Sequence, residues 1–212
     1  MSLTPTTRTH HETAGSVHES METPPRKEHP FIEIVRFAII ALVIVLPIRI
    51  FIAQPFIVSG ASMEDTFHNN EYLIVDQLSY RFEDPTRGDV VVFRYPRDPS
   101  KFFIKRVIGL PGDTITIEGG AITITNNEHP DGILLDEPYL YTPTDSYVTE
   151  TLGTGEYFVM GDNRGASSDS RVWGTLTEDK IIGRAFLRLF PLDEADIFPG
   201  AYDLEHALQA DS

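Results

Sequence analysis

Between Val58 and Val159 the sequence contains no stretch of helical length with an amphipathic period, and this absence restricts the fold more than any other feature. The segment is made instead of short runs rich in Val, Ile, Phe and Tyr, closed by Gly, Pro or Asp: EYLIVDQ, DVVVFRY, FFIKRVIG and EYFVMGD. Such side chains fit a pleated surface, and the residues that end each run favour turns. Thr114 to Ile117 and Ala121 to Thr125 alternate apolar residues with Thr around Glu118-Gly119-Gly120, which predicts a hairpin. The expected fold is therefore mostly β. At 212 residues and 41% hydrophobic content, the chain can bury one sizeable core. It has no Cys, so that core has to be held by packing, without disulfides, a thiol nucleophile or a thiolate metal site.

The N-terminal part has a different composition. Residues 1–29 are rich in Ser, Thr, Glu, His and Pro, with little to bury, and read as a disordered tail. Then comes FIEIVRFAIIALVIVLPIRIFIAQPFIV, whose uncharged stretch from Phe37 to Ile48 is 12 residues long. Hydrocarbon is spanned by ~20 apolar residues, a length reached only by extending to Val58 across Pro47, Arg49, Gln54 and Pro55. A short buried helix is one reading. A membrane anchor over residues 30–54 is the favoured one, because nothing in the tail could cover such a helix. Arg26, Lys27 and Arg36 precede the span, whereas Glu64, Asp65, Glu71 and Asp76 come before the next basic residue after Arg49. The positive-inside rule then puts the N-terminus in the cytoplasm and the chain beyond Gln54 outside.

Charge and histidine content exclude other classes. Seventeen basic residues stand against 32 acidic ones, for a net charge of −15, so no phosphate-neutralising cluster for nucleic acid exists. His10, His11, His18 and His29 lie in the tail without metal-site spacing, and His68, His129 and His206 sit in polar contexts. Neither a metal nor a cofactor is expected. Lys105 stands out because Phe102, Phe103, Ile104, Val107 and Ile108 flank it. An amine taken out of water by such neighbours has its ammonium form disfavoured and its pKa lowered, which suits a general base. The alternative is a lysine whose stem lies along a strand while its head stays in solvent.

Five segments occur in order: QPFIVSGASMEDTF, RGDVVVF, KRVIGLPGD, GDNRGASSDSRVWG and IIGRAFLRLFPL. Together, behind one apolar N-terminal segment, they resemble the bacterial type I signal peptidase (leader peptidase) family, membrane-bound serine–lysine proteases that trim exported preproteins. The resemblance covers residues 31–192. It implies a single N-terminal transmembrane helix followed by a compact antiparallel β-sheet catalytic domain, with Ser62 as nucleophile and Lys105 as general base. Ser167 matches the serine that orients the lysine, and Asp169 and Arg171 match a carboxylate–guanidinium pair behind the site. Gly60 takes the position where many members carry a serine that donates to the oxyanion. Asp65 and Phe67 replace the usual Pro and Leu.

The resemblance further implies that Phe56, Val58, Met63, Phe67, Val92, Phe103 and Ile104 line two shallow apolar pockets. These would take small side chains at the first and third positions before the cut; plain core packing is the alternative for each. The expected organisation is a cytoplasmic tail (1–29), an anchor (30–54), a peptidase domain (55–192) with a short variable extension at 119–154, and an acidic tail (193–212). The expected partners are preproteins bearing signal peptides and the lipid bilayer, with the protein a monomer in the cell membrane.

Overall fold

A computed structural model describes residues 30–47, 53–64, 66–140, 144 and 146–204. The chain divides into two compact units, residues 1–40 and 41–212. Helix α1 (Pro30–Pro47) runs across that division, with Glu33 in its first turn, where the positive end of the helix dipole favours an acid. Its large apolar residues are exposed on every side, from Phe31 and Ile32 to Val45 and Leu46. Eighteen residues rise ~27 Å, just short of the ~30 Å of hydrocarbon in a bilayer. Among the described residues no helix is long and apolar enough to cross a membrane. The anchor expected over residues 30–54 is thus helical to Pro47, and Ala53 and Gln54 already belong to a strand. Pro47 and Pro55, which lack an N–H, bracket the change.

The rest is antiparallel sheet. The strands are β1 (Ala53–Ile57), β2 (Tyr72–Asp76), β3 (Val90–Tyr95), β4 (Asp98–Gly109), β5 (Thr114–Glu118), β6 (Ala121–Thr125), β7 (Ile133–Leu134), β8 (Val148–Thr151) and β9 (Glu156–Met160). A single-turn helix, α2 (Ser170–Trp173), follows, and then β10 (Leu176–Thr177), β11 (Ile181–Phe190) and β12 (Asp196–Ile197). The larger sheet has the order β1-β2-β11-β3-β4-β9-β10, with β12 added beside β11. The smaller has the order β7-β6-β5-β8. In β5 and β6 inward residues alternate with outward Thr, so Ile115, Ile117, Ile122 and Ile124 all point into one core. The predicted hairpin is formed, with Glu118 opposite Ala121 and both Gly119 and Gly120 at positive φ.

Two of the expected segments contain described strands. Residues 119–154, expected as an extension, supply β6, β7 and β8 and bury Leu135, Tyr139 and Leu152 in the core of the smaller sheet. The acidic tail expected from Asp193 is structured as far as Leu204: β12 pairs with β11, and Leu204 is buried in the same core. Acidic composition marks the outward residues of that segment, while a few apolar ones fix its path. Residues 205–212 and the tail at 1–29 lie outside the described residues.

Candidate active site

Ser62 sits in a turn after β1, where Glu64 N–H donates to Ala61 O and Phe67 N–H to Met63 O. Gly60, two residues before it, has φ +101°, a conformation that side chains rarely adopt. Its N–H donates to Asn69 Oδ1 at 3.1 Å. A serine at position 60 would be strained here, which accounts for glycine at a position where the resemblance often has a donor.

Lys105 approaches from β4. Register pairs it with Val91 of β3, and its amine lies 2.7 Å from Ser62 Oγ and 2.7 Å from Ile104 O. The residue is 3% exposed. Burial lowers its pKa from 10.5 to about 8, against the opposing pull of Asp169 and Asp162. The head of this lysine is not in solvent. Its ammonium also lies over the Phe103 ring, 5.4 Å from the centroid.

The turn after β9 holds both groups from behind. Asn163 N–H donates to Ser62 O at 3.1 Å. Asp162 takes a bidentate pair from Arg106 at 2.9 and 2.6 Å and accepts from Thr66 Oγ1 at 2.6 Å. Asp169 is fully buried; it caps α2 and accepts from Arg171 Nε and Nη2, each at 2.8 Å, and from Gly161 N–H at 3.1 Å. Burial alone would raise its pKa, but these donors hold the carboxyl below the usual range. Gly161 has no room for a side chain: a Cβ there would stand 2.3 Å from both Ser62 O and Ser167 Oγ.

Ser167 is the residue expected to orient Lys105. Its hydroxyl is buried and close to Asp169, but no partner meets hydrogen-bond geometry, and Lys105 Nζ is bonded to Ser62 and Ile104 instead.

A cleft of about 500 Å³ opens over Ser62 and Lys105. Of the predicted pocket residues, Phe56, Val58, Val92, Phe103 and Ile104 line it. Met63 and Phe67, 1% and 0% exposed, do not; they pack with Val58, Leu73 and Val90 in a core cluster beneath the turn. Asp65 lies outside the described residues. The cleft also takes Ile57, Ser59, Leu73, Phe102, Ala166 and Ser168, which sequence reasoning missed, and Lys101 at 64% side-chain exposure. Strand alternation could have found Lys101, since residues 101, 103 and 105 share one face of β4. Among the described residues backbone is open on either side of the cleft: β1 ends its sheet, and β9 pairs with β4 only from Arg106 onward.

Among the described residues one group could hold a metal, His68, Glu71 and Glu194, with ligand atoms within 4.8 Å of one another. Arg188 Nη1 already donates to Glu71 at 3.0 Å and to Glu194 at 3.3 Å, so a cation is in place and a metal ion would be repelled.

Comparison with known proteins identifies the family. The family described as "Signal peptidase, peptidase S26" matches residues 31–190. A probable signal peptidase I-2 of Synechocystis is 38% identical over 178 residues, 81% of this chain and 78% of its own length. A signal peptidase I of Leptolyngbya laminosa is 37% identical, covering 80% and 84%. One from Bacillus amyloliquefaciens is 35% identical, covering 74% and 86%. The chain belongs to the signal peptidase family, peptidase S26.

Proposed function

We propose that this protein is a membrane-bound serine endopeptidase that removes N-terminal signal peptides from exported preproteins through Ser62 and Lys105. The observation that carries this reading is a buried amine with a pKa near 8 lying 2.7 Å from a serine hydroxyl. With that pKa, roughly one lysine in ten is neutral at pH 7, against one in a few thousand for a solvated lysine. The neutral amine accepts the Ser62 proton as Oγ attacks the carbonyl carbon of the scissile peptide bond. The resulting ammonium returns a proton to the leaving amine as the C–N bond breaks and an acyl-enzyme remains. Lys105, neutral again, takes a proton from a water whose oxygen attacks the acyl carbon, and returns it to Ser62 Oγ as the ester bond breaks and the acid product leaves.

Ser62 N–H is a donor for the oxyanion, since Gly60 has no side chain to give. Asp169, with Arg171 and Gly161, holds the turn that presents Ser62, and Ser167 fills the space between Asp169 and Gly161. The apolar walls from Phe56, Val58, Val92, Phe103 and Ile104 suit small side chains at the first and third positions before the cut, because a larger group would overpack them. The open backbone of β1 and β4 suits a peptide bound in extended form.

The exposed apolar residues around α1 support an anchor in the cell membrane, and Arg26, Lys27 and Arg36 ahead of it support residues 1–29 in the cytoplasm and the β domain on the outer face. Protease added outside cells should digest the β domain and spare the N-terminal tail; protection of the β domain overturns this topology. The catalytic reading is tested with detergent-solubilised protein and a preprotein. Wild type should cleave it, and Ser62→Ala, Lys105→Ala and the double variant should share one near-zero rate. Substantial cleavage by Lys105→Ala overturns the mechanism. Because the neutral amine is the active form, activity should rise with pH along a limb near 8.

A further inference from the structure

The family match ends at residue 190, yet the chain beyond β12 returns to the back of the catalytic centre. Gly200 O accepts a hydrogen bond from Arg106 Nη1, which also donates to Gly88 O at 2.9 Å. The Arg106 guanidinium, 0% exposed, lies over the Tyr139 ring at 4.0 Å and the Tyr202 ring at 5.3 Å. Leu204 then enters the core of the smaller sheet.

Contact here is too close for any side chain on the facing glycines. A Cβ on Gly88 would meet Tyr202 O at 1.8 Å. A Cβ on Gly200, whose φ is +68°, would meet Thr66 Cγ2 at 2.3 Å, Phe67 Cε2 at 3.3 Å and Arg106 Nη2 at 3.6 Å. Thr66 and Phe67 belong to the turn that carries Ser62, and Arg106 follows Lys105 on β4. Gly200 therefore touches the supports of both groups at once.

We propose that residues 200–204 form a positioning strap. By holding Arg106 on Asp162, and Thr66 against both, the strap sets the approach of Ser62 to Lys105. The proposal rests on the Ser62–Lys105 reading above.

The strap should be visible in the pH profile. The charged groups acting on Lys105 are Asp162 and Asp169, both of which favour its ammonium form. Arg106 balances the first and Arg171 the second. If Arg106 is loosened, Asp162 acts on the amine unopposed, and Lys105 holds its proton to higher pH. A strap that only added stability would leave that limb where it is.

The test uses the full chain in detergent and a preprotein with Ala at the first and third positions before the cut. Gly200→Ala should lower kcat about 10-fold or more with KM nearly unchanged, and move the acid limb upward by about half a pH unit or more. Adding Thr66→Ser removes the methyl that the new Cβ strikes and keeps the hydroxyl for Asp162, so the double variant should recover much of both losses. Tyr202→Leu keeps the backbone path and should show the same signs more weakly; it carries the test should Gly200→Ala fail to fold. Leu176→Ala, a core truncation in β10 outside the cluster that holds Leu204, is the control and should lower Tm without moving the limb.

Folded Gly200→Ala and Tyr202→Leu proteins with wild-type kcat and an unmoved limb overturn the strap and leave the catalytic pair intact. An active Lys105→Ala variant overturns the catalytic pair itself.

Discussion

The two sheets of this protein are built from similar strands and put to opposite uses. The smaller sheet buries Ile115, Ile117, Ile122 and Ile124 behind Thr-faced strands, with Leu135 and Leu152, in a core that Ile108, Phe158 and Met160 of the larger sheet close from the other side. Its hairpin alternates without a slip. The larger sheet encloses Lys105, Arg106, Asp162 and Asp169, and its pairing is broken by register shifts in β3–β4, β4–β9 and β11. Burying charge costs several kcal/mol per ion unless partners compensate. Arg106 and Asp169 have such partners. Lys105 has the Ser62 hydroxyl and a carbonyl, so its burial is left uncompensated and appears as a lowered pKa. One sheet gathers stability, and the other uses it to keep an amine dry.

That contrast can be broken in graded steps. The largest effect should come from Ser62→Ala or Lys105→Ala, with kcat/KM falling ~10⁴-fold or more in a preprotein cleavage assay. Stability should change little for Ser62→Ala, and Tm by calorimetry checks this. Next is Gly161→Ala. Its Cβ would stand 2.3 Å from Ser62 O, so the turn must shift, and a displacement of ~1 Å at a catalytic group can cost about 100-fold in rate.

Ile117→Ala inverts the pattern. Truncating this fully buried residue should lower stability by about 2–5 kcal/mol in urea, while kcat measured well below Tm stays near wild type. A large loss of kcat in the folded variant would show the sheets to be coupled in catalysis.

The smallest effect is a gain. The pKa of Lys105 is near 8 when folded and 10.5 otherwise, so between these values the unfolded chain binds the extra proton and stability rises with pH. Below pH 8 the full penalty applies, about 3 kcal/mol at most, from 1.36 kcal/mol per unit. Lys105→Met should therefore unfold at higher urea than wild type at pH 7, with the advantage vanishing near pH 10.5. The two hydrogen bonds lost from Lys105 reduce that gain. An advantage independent of pH would mean that the lysine is not held in its lowered state.

The parts of the fold that could be read from the sequence follow the same division. Strands β2, β3, β4 and β9 coincide with β-branched runs, and the hairpin with its alternation and glycine pair, because periodicity and turn chemistry act locally. Strand β1 was hidden: AQPFI continues the apolar character of the anchor and carries a Pro, tolerated because β1 lies at the sheet edge. Met63 and Phe67 could not be assigned between pocket and core, since a turn has no period to say which way a side chain points. The Arg106–Asp162 pair joins residues 56 apart and leaves no local trace. The return of the chain to Leu204 was masked by the acids around it.

If, as proposed, substrate is bound along the open backbone edges of β1 and β4, there is a consequence for what the protein can act on. Only a chain without competing structure of its own can lie between them, because a folded segment has already committed its amides elsewhere. Selection by conformation then comes before selection by side chain. An Ala-x-Ala sequence inside a folded domain should survive alongside the enzyme, and the same sequence in a freshly exported, still extended polypeptide should be cut. On this view, the maturation of a preprotein is timed by how long its cleavage site stays unfolded.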